Sequence, residues 1–256
     1  MRFARFLSGA ATTTAVLLTS IPMSAAMGLE VMVSPGYGSA GDKSPVVYKP
    51  TGVVQMDDAT RGAILDGTAK PYGGGLGIDG SIGYRALSVL SFGLTGGWRQ
   101  SSASSSQIQA PLSNASRSAL QIGFYGRGYL PLVGTLTGLD PWASVGATYV
   151  YDKQTYDEAV TITGLGDVSL PVSLTHHGIG IPLALGIDYH VLPFLAVGPS
   201  FRYEPVIAVA GCMSTNPTQP NVIGASYCST DDSRKRVIGA DSYGVWSLQL
   251  ELRLAL

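Results

Sequence analysis

The sequence predicts an all-β fold, a closed antiparallel eight-stranded up-and-down transmembrane β-barrel preceded by a cleaved signal peptide. Only 13% of the 256 residues are charged and 45% are hydrophobic. After the first 30 residues, however, no stretch of about 18 evenly apolar residues occurs that could form a membrane-spanning helix. Glycine contributes 33 residues, nearly twice the usual share of about 7%. This composition leaves two classes, a glycine-rich soluble β protein and a transmembrane β-barrel.

Residues 1–26 have the pattern of a secretory signal peptide. Arg2 and Arg5 form a positive start, residues 15–18 form an apolar centre, and Ser24 and Ala26 place small residues before a cleavage site. The alternative is a helical membrane anchor, which the short apolar run disfavours. We therefore expect an exported protein whose residues 27–256 form one domain.

Apolar and polar residues alternate in eight segments of the chain. In residues 76–86, for example, Leu76, Ile78 and Ile82 alternate with Asp79 and Arg85. Because a β-strand points successive side chains to opposite faces, each segment predicts a strand with one apolar and one polar face. The eight segments are 29–37, 76–86, 90–99, 120–130, 143–152, 179–191, 195–204 and 246–256.

The predicted connections alternate between long and short along the chain. Long segments lie near 39–71, 101–116, 157–175 and 208–243, whereas the links near 86–89, 131–140 and 190–195 are short. This order is typical of outer-membrane barrels, in which the long loops are extracellular. The 157–175 segment is expected to prolong the fifth and sixth strands as a hairpin around Gly164.

The alternation does not itself show which face points outward. A soluble lipocalin-like barrel would bury its apolar face, whereas a membrane barrel exposes it to lipid. The polar face is rich in Gly, Ser and Ala and has little Lys, which favours a narrow interior. Aromatic residues at strand ends on the apolar face resemble interfacial girdles: Tyr37, Tyr84, Trp98, Tyr149, Tyr151, Tyr189, Phe201, Tyr203 and Trp246.

Taken together, the signal peptide, eight alternating strands, short inner turns and alternating last strand resemble the small outer-membrane barrels of the OmpA/OmpX type. The resemblance covers residues 27–256. It implies a monomer in the outer membrane of a Gram-negative bacterium, in contact with outer-membrane lipid and lipopolysaccharide and inserted by the barrel-assembly machinery.

Charged residues on the polar face are predicted to form a lumen ion-pair network. Counting from the short turns places them at two heights, each nearly balanced in charge. The lower group is Glu30, Arg85, Arg127, Asp188, His190, Glu251 and Arg253. The upper group is Asp79, Arg99, Asp152, Arg202 and Glu204. Isolated charges are costly in a tight interior, so we expect these residues to pair and plug the lumen. The alternative is a water-filled ion pathway.

The two cysteines, Cys212 and Cys228, flank a Pro- and Asn-rich segment. In an oxidising compartment we expect them to form a disulfide, with two free thiols as the alternative.

A catalytic role is the weakest of the functional hypotheses. The three histidines are His176, His177 and His190. A nucleophile, base and acid could be assembled near the outer end of the sixth strand from Ser173, His176, His177, Asp157 and Glu158. We favour polar residues at a membrane boundary instead, and we expect no enzyme activity, cofactor or metal site. The net charge of −1 leaves no basic surplus for nucleic acid.

The sequence therefore predicts a structural or surface-interaction protein of the outer membrane, with a charge-plugged lumen and interactions carried by its extracellular loops. The alternative is a narrow channel or a conduit for small solutes or hydrophobic molecules. A lipid-modifying enzyme is disfavoured relative to both.

Overall fold

The computed structural model describes residues 28–40, 72–86, 89–103, 112–130, 138–162, 166–215, 226–231 and 242–256. The predicted signal peptide lies outside these residues, as do large parts of three predicted long loops. In the described parts of the chain the strands are β1 (Gly28–Ala40), β2 (Tyr72–Ala86), β3 (Leu90–Ala103), β4 (Leu112–Tyr129), β5 (Leu139–Ile162), β6 (Gly166–Gly180), β7 (Leu183–Leu192), β8 (Leu195–Thr215), β9 (Ser226–Ser229) and β10 (Tyr243–Ala255).

The strands close into an antiparallel ring. Each of β1 to β5 pairs with the next strand, β8 pairs with β10, and β10 pairs back with β1. Both β6 and β7 pair with β5 on one side and β8 on the other, so they are two parts of one barrel strand. The ring therefore has eight strands, and β9 extends the sheet from β8 outside it. Closure satisfies the backbone of every ring strand, which lipid requires.

A proline interrupts the strand formed by β6 and β7. Pro182 has no N–H to donate, so the regular ladder stops there. Its carbonyl still accepts from the Gly146 N–H at 3.0 Å, and the Ile181 N–H donates to the Pro205 carbonyl at 2.9 Å. The break therefore changes the ladder without opening the ring.

The barrel exposes its apolar face and buries its polar face. Leu76 is 71% exposed and Phe124 is 67% exposed, whereas Glu30 and Glu204 are each 1% exposed. This arrangement is the reverse of a water-soluble barrel and fits a lipid-facing exterior. It decides between the two orientations that the alternation left open. Among the described residues, no helix is long and apolar enough to cross a membrane.

Aromatic side chains mark two levels of the exterior. Near the outer end, Trp98 and Tyr151 both flank Leu120 in the strand register, and Trp246 pairs with Tyr203. Near the short turns, Tyr84 pairs with Phe92. Most of the predicted girdle residues are exposed, whereas Trp246 is half-buried. Amphipathic rings at two heights are typical of the two membrane–water interfaces.

Several strands are longer than the sequence pattern indicates. β5 continues to Ile162 and pairs with β6 from Gly166, which gives the expected hairpin in the 157–175 segment. β4 begins at Leu112 and β8 continues to Thr215, so regular strand enters the predicted 101–116 and 208–243 segments. Alternation fades there because strands that extend beyond the lipid band no longer need an apolar face.

A charge placed on the exterior should cost more at mid-barrel than at the rim. Leu94 lies mid-strand on the exposed face of β3, and Gln100 lies on the same face nearer the outer end. We expect Leu94→Lys to lower the free energy of unfolding by about 2–4 kcal/mol and the control Gln100→Lys by at most about 1 kcal/mol. Urea unfolding in lipid vesicles measures both values. Equal, small effects would contradict a lipid-facing β3.

Candidate functional site: the charged lumen

The inward side chains form three groups stacked along the barrel axis. The inner layer, near the short turns, consists of Glu30, Arg85, Arg127, Asp140, Asp188, Glu251 and Arg253. The middle layer consists of Asp79, Arg99, Gln121, Arg202, Glu204 and Gln249. The outer cluster consists of Arg117, Asp152 and Tyr243. All except Arg99 and Gln249 are buried.

Arg253 connects three carboxylates in the inner layer. Its Nη1 lies 3.1 Å from Glu30 Oε1, its Nη2 lies 3.2 Å from Asp140 Oδ2, and its Nε lies 3.1 Å from Asp188 Oδ2. These partners come from β1, β5 and β7, so one guanidinium joins four strands. Arg85 adds contacts of 3.6 Å to Glu30 and to Asp140.

Arg127 and Glu251 form a two-pronged pair across the inner layer. Arg127 Nη1 contacts Glu251 Oε1, and Arg127 Nη2 donates to Glu251 Oε2 at 2.8 Å. β4 and β10 are four strands apart around the ring, so this pair spans the lumen. Fork-to-fork geometry makes such pairs the strongest of the charged hydrogen bonds.

Two aromatic rings fill the spaces beside these arginines. The Arg127 guanidinium lies 3.7 Å from the Trp142 ring centre, and Arg85 lies 3.9 Å from that of Tyr129. Trp142 Nε1 donates to Asp188 at 3.0 Å and the Tyr129 hydroxyl donates to Glu30 at 3.2 Å. The rings therefore stabilise the cations through their faces and the carboxylates through their polar edges.

In the middle layer, two arginines share two carboxylates. Arg202 lies 3.1 Å from Asp79 and 3.0 Å from Glu204. Arg99 lies 3.5 Å from Asp79 and 3.4 Å from Glu204. β3 and β8, which carry Arg99 and Glu204, are four strands apart around the ring. Opposite charges therefore alternate across the lumen, which offsets the cost of removing them from water.

Neutral side chains supply further hydrogen bonds to the same carboxylates. Gln121 Nε2 donates to Asp79 at 2.5 Å, and Gln249 donates to the other Asp79 oxygen. The Thr148 hydroxyl donates to Glu204 at 2.5 Å. Such a connected network is more stable than its separate pairs, because each group fixes the next.

The outer cluster centres on Asp152. Arg117 Nε lies 3.1 Å from Asp152 Oδ1 and 2.9 Å from Oδ2, and the Tyr243 hydroxyl donates to Oδ2 at 2.7 Å. The Arg117 guanidinium also lies 4.6 Å from the Tyr243 ring centre. The cluster therefore joins β4, β5 and β10 at the outer end of the lumen.

The structure places all eleven predicted lumen residues inside the barrel. Their heights along the barrel axis differ from those predicted from the sequence. Asp152, predicted at the level of Asp79, instead lies in the separate outer cluster with Arg117. His190 lies at an inner turn, where its Nε2 is 2.9 Å from Asp140 Oδ2. Strand tilt explains the difference in height, because residues counted equally from different turns do not share a level.

Sequence reasoning missed several lumen residues at the ends of strands. Arg117 and Asp140 lie just outside the segments predicted as strands, as do Trp142 and Tyr243. The alternation could have identified two of them as inward-facing, because Arg117 lies an even number of residues from Gln121 and Asp140 an even number from Asp152. Such residues share one face of a strand. The predicted segments began too late to include them.

The candidate catalytic set does not assemble. His176 is buried on the inner face of β6, whereas His177 lies on the outer face, where its Nδ1 is 2.5 Å from the Tyr149 hydroxyl. Ser173 lies on the face of His177 but four residues along the strand, a separation of roughly 13 Å. Asp157 also lies far from the two histidines. It is four residues beyond Lys153 along β5, and Lys153 is the residue opposite Thr175. The Glu158 side chain lies outside the described part of the chain. The geometry thus gives no nucleophile–base pair among the described members of this set.

The predicted disulfide is present. Cys212 of β8 and Cys228 of β9 lie opposite each other in the register and are bonded. The bond holds the short strand β9 against the outer part of β8. Within the described residues, no group of three or more His, Cys, Asp or Glu side chains is arranged to hold a metal ion.

Comparisons with known proteins identify the fold. No protein-family model matches the sequence, and no curated protein does so. A major outer membrane protein from Thermus thermophilus superposes with a TM-score of 0.56 at 12% identity, over 89% of this chain and 99% of that chain. OprG from Pseudomonas aeruginosa gives 0.46 at 14% identity, over 90% and 98% of the two chains. Neisserial surface protein A gives 0.45 at 14% identity, over 90% and 97%. The chain has the fold of an outer-membrane β-barrel, as predicted.

Removing one member of the Arg127–Glu251 pair should cost far more than replacing both. Arg127→Ala leaves a buried carboxylate without its main partner, and we expect it to lower the free energy of unfolding by about 3–5 kcal/mol. The double variant Arg127→Met/Glu251→Leu should recover most of this loss, because no charge is left unpaired. Lys153→Ala on the exposed face is the control, with an effect within about 0.5 kcal/mol. Urea unfolding compares the three. A double variant as unstable as Arg127→Ala would refute the cross-lumen pairing.

Proposed function

We propose that this chain is a non-catalytic protein of the Gram-negative outer membrane, with a lumen closed to ions and interactions carried by its extracellular end. In this proposal the exterior contacts outer-membrane lipid and lipopolysaccharide, and the barrel acts as a monomer that supports a surface structure.

One observation carries the closed lumen: several of the ion pairs run across the barrel. Arg127–Glu251 and Arg99–Glu204 each join strands four positions apart around the ring, and Arg202–Asp79 joins strands three apart. Pairs between neighbouring strands would line a wall and leave a central path. Pairs between opposite strands occupy the centre itself, and eight strands leave little room beside them.

Charge balance in the middle layer supports closure over conduction. The middle layer has two arginines and two carboxylates, whose oxygens also accept from glutamine and threonine side chains. An entering ion would have to separate these pairs and leave buried charges without partners, which costs several kcal/mol per ion. A selective ion pathway would instead present a ring with an excess of one sign.

The extracellular end provides a surface for interactions. Beyond the ring, β5, β6, β8 and β9 continue as one sheet on one side of the barrel, with the Cys212–Cys228 disulfide at its edge strand. Binding residues are commonly held in this way, on segments positioned by a rigid scaffold. This sheet supports the surface-interaction role.

Planar-bilayer recording tests the closed lumen. The unmodified chain should give no steady conductance, and neither should Asp79→Ser/Arg202→Ser, because the inner layer remains. Adding Arg99→Ser/Glu204→Ser and Arg127→Ser/Glu251→Ser removes the pairs between opposite strands in both layers, and we expect a conductance that rises with salt concentration. A difference in gel migration between unheated and heated samples verifies folding of each variant. A large steady conductance of the unmodified chain, abolished by Arg202→Glu, would establish the channel alternative instead.

A further inference from the structure

The exterior of the barrel changes from apolar to polar over a single outward position on β4 and β5. On β5, Tyr151 faces outward and Lys153 is the next outward residue. On β4, Leu120 lies opposite Tyr151 and Ser118 lies opposite Lys153. Aromatic rings collect at the edge of the hydrocarbon core, and polar side chains lie beyond it. This step therefore marks the boundary between acyl chains and headgroups on this side of the barrel.

Lys153 differs from the other cations of the barrel in its position. The arginines that the structure describes line the lumen, whereas Lys153 is exposed on the exterior. Within the described part of the chain its ammonium group forms no ion pair. Asp157 is four residues further along β5, a separation of roughly 13 Å. The charge of Lys153 is therefore available to an anionic group at the membrane surface.

Hydroxyl groups flank Lys153 on both neighbouring strands. Ser118 of β4 and Thr175 of β6 are its direct partners in the register, and directly opposite residues lie about 5 Å apart. In the next row outward, the hydroxyl oxygens of Ser116 and Thr155 share a hydrogen bond of 2.8 Å. We refer to these residues as the polar patch. A phosphate accepts charge-assisted hydrogen bonds from ammonium and hydroxyl groups, so the row centred on Lys153 is matched to one phosphate.

Aromatic rings lie directly below the polar patch, toward the middle of the membrane. The centre of the His177 ring lies 5.4 Å from that of Tyr151 and 6.0 Å from that of Tyr149. His177 Nδ1 is also 2.5 Å from the Tyr149 hydroxyl oxygen. These contacts hold the rings together, and each ring has an apolar face and a polar edge. They therefore offer a fixed surface where a headgroup joins its acyl chains.

The polar patch is wider than one phosphate. Its outer row, Ser116 and Thr155, continues on β6 with Ser173, which lies opposite Thr155. Hydroxyl groups both donate and accept hydrogen bonds, so this row is matched to the hydroxyl groups of a sugar. A second anion would lack a counter-charge, because Lys153 is the single cation of the patch. The chemistry of the patch therefore fits a lipid whose headgroup is a phosphorylated sugar.

We infer that the polar patch binds one molecule of lipopolysaccharide, the phosphorylated glycolipid of the outer leaflet. Lys153 holds one phosphate, the outer hydroxyl row contacts the sugar, and the acyl chains lie along Tyr151 and Leu120. The inference deepens the proposed function and rests on it in one respect, because the proposed function has the exterior in contact with lipopolysaccharide. It adds the place of that contact and the group that is recognised.

Native mass spectrometry of the folded chain, titrated with lipid A in detergent micelles, tests the inference. Lipid A is the phosphorylated sugar of lipopolysaccharide with its acyl chains. We expect one molecule to bind saturably, and both dephosphorylated lipid A and phosphatidylglycerol to bind at least about fivefold more weakly. Lys153→Gln should lower the affinity for lipid A at least about fivefold through the lost charge. Thr175→Val should lower it roughly twofold to tenfold through the lost hydrogen bond.

An exchange of two side chains provides the matched control. Gln100 is exposed on the same exterior, but its neighbours in the register are Leu76 and Ser118, so it has a hydroxyl group on one side only. Lys153→Gln/Gln100→Lys moves the ammonium group two strands away, about 10 Å, without changing composition or net charge. We expect this variant to bind lipid A as weakly as Lys153→Gln. Comparison of unheated and heated samples on gels verifies that each variant is folded.

The inference is overturned if lipid A binds without saturation, or if the exchange variant binds it as tightly as the unmodified chain does. Equal affinity for phosphatidylglycerol or for dephosphorylated lipid A would overturn it as well. Bilayer recording of the same preparation separates this failure from that of the proposed function. A closed lumen without saturable lipid A binding refutes the glycolipid site alone, whereas a steady conductance refutes the closed lumen.

Discussion

The narrow interior of an eight-stranded ring is the constraint on which the rest of the structure depends. Its width is about that of packed side chains, so the inward charges must pair with one another inside the lumen, several of them across it. Arg253 reaches three carboxylates, and Arg99 reaches Glu204 on the opposite side of the ring. These contacts join strands that are distant in sequence, so the interior is a polar core held together by ion pairs between strands. The lipid-facing exterior needs only apolar side chains.

The exterior and interior thus exchange the roles they have in a soluble protein. Hydrophobic burial in the interior is confined to small groups, such as Val150, Val206 and Tyr243 near the outer end. Most specificity of packing comes instead from hydrogen-bonded charges, aromatic rings such as Trp142, and glycines such as Gly77 where another side chain would collide. The scarcity of charge and the excess of glycine in the sequence are consequences of the same geometry.

Much of this fold could be predicted because a barrel strand needs only a period of two, which local sequence displays. The inward face of Arg127 or Glu251 follows from that parity. The partners could not be predicted, because pairing across the lumen depends on strand tilt and stagger, which no single strand encodes. The strand ends were not predicted for a different reason. Arg117, Asp140 and Trp142 lie where the lipid no longer imposes an apolar face, so the alternation is weak there. The inner and outer faces of β6 also separate His176 from His177, which proximity in sequence had suggested as one site.

Thiol labelling between the two charged layers tests the central claim, a lumen closed by cross-lumen ion pairs, most directly. Ser144 lines the space between the inner and middle layers, and Ser101 lines the lumen on the outer side of the middle layer. With Ser144→Cys and Ser101→Cys in the folded barrel, a small cationic methanethiosulfonate should modify position 101 readily and position 144 only after unfolding. Comparable rates at the two positions in the folded protein would show that water and ions pass the layers, and would contradict the account.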